Sequence, residues 1–349
     1  MDTQLLFGRR QLVNKCQMQK VLPSNVQVLP TIKVLGSKIH CLRCNQDIEE
    51  TKAPLQKAQF YCPHCLNLGR VSTLARFYHV KEANQFHLPN DVLSWHGQLS
   101  KLQAKVATEL VASMARHEHR LLWAVTGAGK TEMIFPTIAN ALKNHERVGI
   151  ASPRVDVCLE LYPRLEKAFR VPIALLHGRS KEAYSYRQLT ICTTHQLLRF
   201  YRAFDLLIVD EVDAFPYACN AALLFATQQA LKETGGLLLM TATPGKELLR
   251  AVRHKKLAVS YLPLRYHGHL LPEINCHLCW HWRLQLQKKR LPPQLLAWIK
   301  KHCQTGQRFL LFVPHIKDLP TVGSILHETV PSGVKFATVF SNDPKRLAK

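Results

Sequence analysis

The sequence is short of acidic residues and has no long hydrophobic run. Only 24 of its 349 residues are Asp or Glu, against 47 Lys and Arg, so the formal net charge is +23. Its 15 glycines and 19 prolines are too few for a collagen-like or low-complexity chain, and a hydrophobic fraction of 47% excludes intrinsic disorder. No apolar stretch is long enough to cross a bilayer, and the first residues lack the basic-then-apolar order of a signal peptide. We therefore expect a globular protein that stays in the cytoplasm.

The positive charge is unevenly distributed along the chain. Residues 1–120 carry a net charge of +8, residues 121–249 only +2, and residues 250–349 as much as +13. A chain of this length is expected to form about two domains, at roughly 150 residues each. A strongly basic protein favours a polyanionic partner, either nucleic acid or an acidic membrane surface. We expect nucleic acid.

Four of the eleven cysteines form two Cys-x-x-Cys pairs, separated by seventeen residues. They are Cys41, Cys44, Cys62 and Cys65. Two such pairs can complete a tetrahedral zinc site, and because four thiolates leave no open position, its role is structural. The intervening residues are mostly polar, so metal would supply much of the folding free energy of a module at 36–75. Cys276 and Cys279 form a third pair without a partner pair, and chance explains it better than metal binding.

A glycine-rich loop lies between an apolar stretch at 121–125 and a helix-patterned stretch at 133–144. The loop residues are Thr126, Gly127, Ala128, Gly129, Lys130, Thr131 and Glu132. A strand, a glycine loop and a helix in this order are typical of a phosphate-binding loop. Its backbone N–H groups would approach the phosphates, Lys130 would reach the β- and γ-phosphates of ATP, and the Thr131 hydroxyl would hold Mg²⁺.

An acidic sequence follows a second apolar stretch about eighty residues later. Residues 205–209 predict a buried strand, and Asp210, Glu211 and Asp213 follow it. Carboxylates at the end of a central parallel strand suit the second half of a nucleotide site. Asp210 would hold Mg²⁺, directly or through water, and Glu211 would orient and deprotonate the attacking water.

Apolar strand patterns alternate with helix patterns through the middle of the chain, which predicts an α/β fold with a doubly wound parallel sheet. The predicted strands are 121–125, 147–152, 171–177, 189–194, 205–209 and 235–243, and the predicted helices are 133–144, 155–169 and 195–201.

The order of motifs resembles superfamily 2 DEAD-box-like helicases across roughly residues 95–345. The resemblance implies four further elements. They are an adenine-reading glutamine at Gln103, one nucleic-acid backbone contact at Ser152, Pro153 and Arg154, a second at Thr193, Thr194 and His195, and an element at Thr241, Ala242 and Thr243 that links ATP state to strand contacts.

Two features narrow the resemblance to the ComFA family of late competence proteins. One is the four-cysteine module ahead of the helicase core, and the other is the string DEVDAFP at 210–216. The family implies an ATP-dependent single-stranded DNA translocase or helicase in natural competence, with ATP, Mg²⁺ and Zn²⁺. It also implies competence proteins as partners at the inner membrane face, where this chain would lie peripherally. PriA-type replication-restart helicases are the alternative, but they carry their zinc cysteines later in the chain.

The same resemblance divides the chain into five segments. They are an N-terminal segment 1–35, the zinc module 36–75, a RecA-like ATP-binding domain 90–260, a basic linker 261–290 and an incomplete second RecA-like domain 291–349. Residues 308–314 predict the first strand of that second lobe, and 336–346 resemble the segment after it.

The family's final Q-x-x-G-R-x-G-R type element, whose arginine completes the ATP site, is absent from the sequence. Without this arginine we expect slow ATP hydrolysis. Three explanations of the missing element remain open: a fragment, a truncated gene and one product of a split gene. An ATP- and DNA-binding remnant and an unrelated P-loop ATPase that acts on protein remain as alternatives.

Overall fold

The computed structural model describes residues 2–17, 21–180, 183–268, 273–331 and 333–340. The chain divides into two compact units, residues 1–271 and residues 272–349, and the division falls inside the predicted linker at 261–290. None of the helices in the described ranges is long and apolar enough to cross a membrane.

Short antiparallel sheets occupy the beginning of the first unit. Strands β1 to β8 span Gln11–Asn14, Gln27–Pro30, Ile32–Leu35, Lys38–Cys41, Gln46–Glu49, Pro54–Leu55, Gln59–Phe60 and Ala75–His79. The order β1-β8-β2 makes one three-stranded sheet, β3-β4-β5 makes another, and β6 pairs with β7. Short 3-10 helices lie at Thr3–Leu6, Lys15–Gln17, Glu50–Lys52 and Pro63–Leu68.

A seven-stranded parallel sheet forms the centre of the first unit, which confirms the predicted α/β fold. Strands β9 to β15 span His119–Ala124, Val148–Ser152, Ile173–Leu176, Leu189–Thr193, Phe204–Val209, Leu231–Thr241 and Ala258–Leu262. Their order across the sheet is β11-β12-β10-β13-β14-β9-β15, and every neighbouring pair is parallel. Because parallel strands end at the same edge, the residues after β10, β13, β14 and β9 lie side by side.

Among the described residues of the first unit, five α-helices accompany this sheet. Helices α1 to α5 span Lys101–Ala115, Lys130–Lys143, Val155–Ala168, Ala221–Ala230 and Lys246–Arg253. The start of α1 is fixed by a capping box, in which Ser100 and Gln103 satisfy each other's backbone N–H groups. The predicted helix at 195–201 is instead a 3-10 helix at Thr194–Arg199, and a further 3-10 turn lies at Tyr217–Cys219.

Each face of the sheet packs against a different core. Ile150 and Ile208 point to the face covered by α1, α2 and α3. Ala151 and Leu207, their neighbours in the same strands, point to the opposite face. Alternation of this kind is what a strand buried on both faces requires.

The four-cysteine region covers that second face. Its buried residues Ile39, Cys41 and Cys62 belong to the same core as Phe204 and Leu207 of β13. The sequence indicates a module with little core of its own. In the structure, one face of the central sheet supplies the apolar packing surface that the module lacks.

The described part of the second unit contains three helices around a small core. Helices α6 to α8 span Trp282–Gln287, Pro293–Gln304 and Leu319–Thr329, and a 3-10 turn lies at Ile316–Asp318. The core residues are Leu286, Leu291, Ile299, Val322 and Ile325.

The predicted strand at 308–314 is wrong, because these residues have no regular secondary structure. Phe309 and Leu311 pack against the core of the unit, while Leu310 and Phe312 are 80% and 85% exposed. The alternation is that of a strand, but a strand needs a neighbour to satisfy its backbone N–H and C=O groups. No strand lies in residues 273–331 or 333–340 to provide one. Of the segment 336–346, residues 336–340 are irregular and 341–346 lie outside the described residues.

Candidate functional site

The glycine loop occupies the carboxyl end of β9 and leads directly into α2. Gly127 and Gly129 have φ angles of +80° and +73°, a left-handed backbone that favours glycine. A Cβ on Gly129 would also lie only 2.5 Å from the Gln103 amide nitrogen. Thr126 and Gly127 are exposed and Ala128 is buried, while Lys130, Thr131 and Glu132 are half-buried in the first turn of α2. The loop therefore presents backbone N–H groups and the helix N-terminus at its surface.

Lys130 faces the acidic residues that follow β13. Its Nζ lies 3.5 Å from the Ala124 carbonyl oxygen, and its charge acts on both Asp210 and Asp213. Asp210 is only 9% exposed, and burial raises the pKa of its carboxyl although Lys130 and the Glu211 N–H oppose this. The Glu211 backbone N–H donates to Asp210 Oδ1 at 2.9 Å. A buried carboxylate that is incompletely compensated is a suitable ligand for a cation.

Thr131 and Asp210 offer the hydroxyl and carboxylate oxygens that Mg²⁺ prefers as ligands. Both belong to elements that begin or end at the same sheet edge, Thr131 in the first turn of α2 and Asp210 after β13. The residues present therefore fit a magnesium–nucleotide site.

Asp213 joins the acidic segment to the residues that follow β14. Its carboxylate accepts hydrogen bonds from the hydroxyls of Thr241 and Thr243, the second at 2.5 Å. Burial alone would raise the pKa of Asp213, but these two hydrogen bonds lower it below its ordinary value. The Ala242 carbonyl in turn accepts from Trp123 Nε1 of β9 at 3.1 Å. All three residues of the predicted coupling element thus lie between the glycine loop strand and the acidic segment.

Gln103 contacts the glycine loop itself. Its Nε2 donates to the Ala128 carbonyl at 2.8 Å, and its Oε1 accepts from the Ser100 N–H at 2.8 Å. The side chain is buried. In this structure the predicted adenine-reading glutamine fixes the loop to the start of α1, and its adenine contact stays a prediction.

A cleft of about 230 Å³ adjoins the loop, and two of the residues that line it belong to none of the predicted motifs. The Tyr266 N–H donates to the Gly127 carbonyl at 3.0 Å, and its exposed side chain lines the cleft together with Gln103. The Arg265 side chain lies against Gly127. Both follow β15, which the strand pattern also missed. The only sequence signal ahead of them is the mostly apolar stretch 257–262.

The six predicted nucleic-acid contacts divide into buried and exposed residues. Arg154 and His195 are exposed, whereas the other four are buried: Ser152, Pro153, Thr193 and Thr194. The Ser152 hydroxyl accepts from the Arg154 N–H at 3.4 Å. Arg154 Nη1 also lies 3.6 Å from Glu211 Oε2. Only two of the six side chains are therefore available to a strand.

The four cysteines form a compact group, and all four are buried. Their sulfur atoms lie within 4.8 Å of one another, with 3.9 Å between Cys41 and Cys65 and 3.6 Å between Cys44 and Cys62. Four sulfurs bound to zinc at about 2.3 Å form a tetrahedron with edges of about 3.8 Å. The cluster therefore has the dimensions of a four-thiolate metal site.

Arg43 lies between the two cysteines of the first pair and is buried beside the cluster. Its Nε donates to Cys65 Sγ at 3.4 Å and its Nη2 to the Cys65 carbonyl at 2.8 Å. Hydrogen bonds with the other three thiols, together with the Arg43 charge, lower the pKa of Cys65. From the sequence, Arg43 is expected to be one of the module's cations near the DNA strand, because an arginine inside a cysteine pair resembles any surface cation. In the structure it is instead buried against the cysteine cluster.

Two family models match the chain. Residues 2–79 match the competence protein ComFA N-terminal domain, and residues 96–246 match the type III restriction enzyme res subunit. The first range contains the four-cysteine cluster and the second contains the nucleotide loop and the acidic segment.

Curated relatives extend this similarity over most of the chain. It is 42% identical to competence protein ComFA of Streptococcus pneumoniae over 307 residues, 87% of this chain and 69% of that protein. It is 40% identical to ComFA of Bacillus subtilis over 293 residues, 83% of this chain and 63% of that protein. Replication restart protein PriA of Helicobacter pylori is 22% identical over 234 residues, 63% of this chain and 36% of that protein. The chain thus spans about two thirds of the length of its competence relatives, and its similarity to PriA is much lower.

Proposed function

Because the chain belongs to the ComFA family of competence proteins, we propose that it is an ATP-dependent single-stranded DNA translocase or helicase. It would act in DNA uptake during natural competence. The observation that carries this proposal is the arrangement at the carboxyl edge of the central sheet. There the glycine loop, the acidic segment and the Thr241–Thr243 element follow three adjacent strands.

Nucleotide binding is assigned to the loop and to the side chains around it. Backbone N–H groups at the start of α2 receive the phosphates, and Lys130 supplies positive charge to the β- and γ-phosphates. The hydroxyl of Thr131 and the carboxylate of Asp210 hold Mg²⁺, which neutralises charge on the phosphates when bound. Tyr266 and Gln103 line the adjoining cleft and would receive the base.

Hydrolysis is assigned to Glu211 and coupling to Asp213. Glu211 orients the attacking water and accepts its proton. Asp213 is hydrogen-bonded to Thr241 and Thr243, so a shift of the acidic segment on loss of the γ-phosphate would move the end of β14. DNA contacts are assigned to the exposed Arg154 and His195 and to the basic residues of the two strongly charged segments, 1–120 and 250–349.

The four cysteines are assigned to a structural Zn²⁺ site. Their number, their spacing in the sequence and the sulfur–sulfur distances fit a closed four-thiolate zinc site. The proposed partners are single-stranded DNA and other competence proteins, with the chain lying peripherally at the inner face of the membrane. The net charge of +23 suits both a nucleic-acid strand and an acidic surface.

A second candidate is a protein that binds ATP and DNA without coupled hydrolysis. It is favoured by the second unit, because the predicted strand at 308–314 is not formed and no strand lies elsewhere in the described part of that unit. In related ATPases, an arginine that completes the ATP site from across the cleft, called an arginine finger, raises the hydrolysis rate roughly 10³–10⁵-fold. A protein without such an arginine would bind ATP but hydrolyse it slowly.

ATP hydrolysis by the purified chain, measured with and without single-stranded DNA, tests the two candidates. Under our proposal DNA stimulates hydrolysis, Lys130→Ala loses ATP binding, and Glu211→Gln binds ATP but does not hydrolyse it. Lys143→Ala, at the exposed far end of α2, is the matched control and should behave as wild type. Binding of both ligands without stimulation would favour the second candidate. Full turnover in Glu211→Gln would move the base to Asp213.

A further inference from the structure

Arg154 and Glu211 meet at the junction between the predicted DNA contact and the predicted catalytic base. Arg154 follows β10 and Glu211 follows β13, and because these strands are adjacent and parallel, both residues lie at the same edge. Arg154 Nη1 is 3.6 Å from Glu211 Oε2. One ion pair thus joins two functions that the sequence assigned to separate motifs.

Glu211 is held in a strained and incompletely satisfied position. Its φ angle is +54°, a left-handed value that residues other than glycine rarely adopt. Its Oε2 is buried, and no hydrogen-bond donor reaches that oxygen among the residues that the structure describes. Strain of this kind persists only where the surroundings impose it, and it is common at functional sites. The Arg154 guanidinium is the cation paired with this oxygen.

Arg154, in contrast, remains accessible to a ligand. Its side chain is 55% exposed, and its distance to Glu211 is longer than the 2.7–2.9 Å typical of a charge-assisted hydrogen bond. A DNA phosphate could accept two parallel hydrogen bonds from the guanidinium, which is a stronger arrangement than this loose pair. His195 is exposed after β12, the strand next to β10, so the same edge offers a second polar group.

We propose that Arg154 is a positioning residue that restrains Glu211 until a DNA phosphate takes over its guanidinium. Without a strand, the pair holds Oε2 of Glu211 on the Arg154 side of the site. When a phosphate oxygen accepts the guanidinium N–H groups, Glu211 is released to turn toward the attacking water. Strand binding then raises the hydrolysis rate through one side chain. This inference rests on the proposed function and names the regulation of the same site.

Strand-free hydrolysis in Arg154→Ala is the decisive measurement. The rate should rise about 2- to 5-fold above wild type, the range that an exposed ion pair contributes. Stimulation of hydrolysis by an oligo-dT strand should shrink by at least the same factor. In Arg154→Lys, which keeps the charge, both the strand-free rate and the stimulation should lie between those of Arg154→Ala and wild type. In the double variant Arg154→Ala, Glu211→Gln the strand-free rate should stay at background, because the gain passes through Glu211.

Arg170→Ala is the matched control. Arg170 is 57% exposed and lies 3.7 Å from Asp91 in an equally loose pair, on the same lobe but at the opposite end of α3. Its removal changes the net charge by the same amount and should leave strand-free hydrolysis unchanged.

Two results would overturn the inference alone, provided that wild-type hydrolysis is stimulated by DNA. An unchanged strand-free rate in Arg154→Ala would make Arg154 only a phosphate contact. A lower strand-free rate would mean that Arg154 supports Glu211 in catalysis. A wild-type chain that binds no ATP, or whose hydrolysis no strand stimulates, would overturn the proposed function and this inference with it.

Discussion

Arg147 and Glu82 form an ion pair that is sealed from solvent. Both side chains are 0% exposed, and Arg147 Nη1 lies 2.5 Å from Glu82 Oε2. Arg147 also donates to the Phe7 carbonyl at 3.0 Å and to the Tyr184 hydroxyl at 2.6 Å, while Tyr186 donates to the other Glu82 oxygen. Glu82 follows the antiparallel sheets, and Arg147 precedes β10 of the central sheet. The pair therefore fastens the N-terminal region to the nucleotide-binding lobe.

Glu82→Ala should lower the free energy of unfolding of the first unit by about 3–5 kcal/mol, because it leaves a buried guanidinium without its counter-charge. Urea unfolding followed by tryptophan fluorescence measures this loss. Asp91→Asn removes an exposed carboxylate from a loose pair and should cost less than about 1 kcal/mol. A loss for Glu82→Ala no larger than that of this control would show that the pair contributes little.

Cys62→Ser should release one zinc per chain and destabilise the nucleotide-binding lobe as well as the module. The sequence alone predicts a module that unfolds first and leaves the lobe intact. However, Cys62 and Ile39 share a core with Phe204 and Leu207, so loss of the module uncovers one face of the central sheet. Metal analysis and the melting temperature of ATP-bound protein test this together. An unchanged melting temperature after zinc loss would restore the prediction from sequence.

Arg43→Ala should weaken zinc retention about 10- to 100-fold, the usual effect of removing a hydrogen bond to a metal ligand. Its guanidinium donates to Cys65 Sγ and to three backbone carbonyls around the second cysteine pair. Competition with a coloured zinc chelator measures retention without reference to ATP hydrolysis. Arg70→Ala removes an exposed arginine close to the same cluster and is the matched control. Equal retention in the two variants would assign Arg43 no role at the metal.

The central sheet and the nucleotide loop could be predicted from sequence because their signals are local. Apolar runs such as 206–209 predict buried strands directly, and Gly127 and Gly129 occupy the positive-φ positions that the motif requires. The motif order places Asp213 and Thr241 in separate motifs, the first of them ahead of the second. Their hydrogen bond follows once β13 and β14 are known to be neighbours.

Contacts between distant segments could not be predicted in the same way. Nothing in the neighbourhood of Glu82 indicates a partner 65 residues away, and Tyr266 approaches Gly127 only because β15 pairs with β9. The strand predicted at 308–314 failed for the opposite reason. Its alternating apolar pattern is that of a strand, but a strand needs a neighbouring strand to pair with. The described part of the second unit contains none.

DNA binding should depend strongly on salt and weakly on base sequence, because the residues available to the strand are cations rather than groups that read base edges. If about five phosphates are neutralised, the logarithm of affinity should fall with a slope near −3.5 against the logarithm of salt concentration for single strands. The same number of contacts on a duplex would give about −4.5. Fluorescence anisotropy with oligo-dT, a mixed-sequence strand of equal length and the duplex of that mixed sequence measures the sequence dependence and both slopes.

Arg154→Ala should make the single-strand slope shallower by up to about 0.7, the contribution of one phosphate contact. Arg170→Ala, which removes an equally exposed arginine paired with Asp91, should leave the slope unchanged. Equal effects of the two variants would mean that the strand senses only the net charge of +23 and not the edge beside Glu211. A flat salt response in the wild type would remove nucleic acid as the explanation of that charge. The slope therefore tests whether Arg154 meets phosphate at all, which hydrolysis rates alone cannot separate from its contact with Glu211.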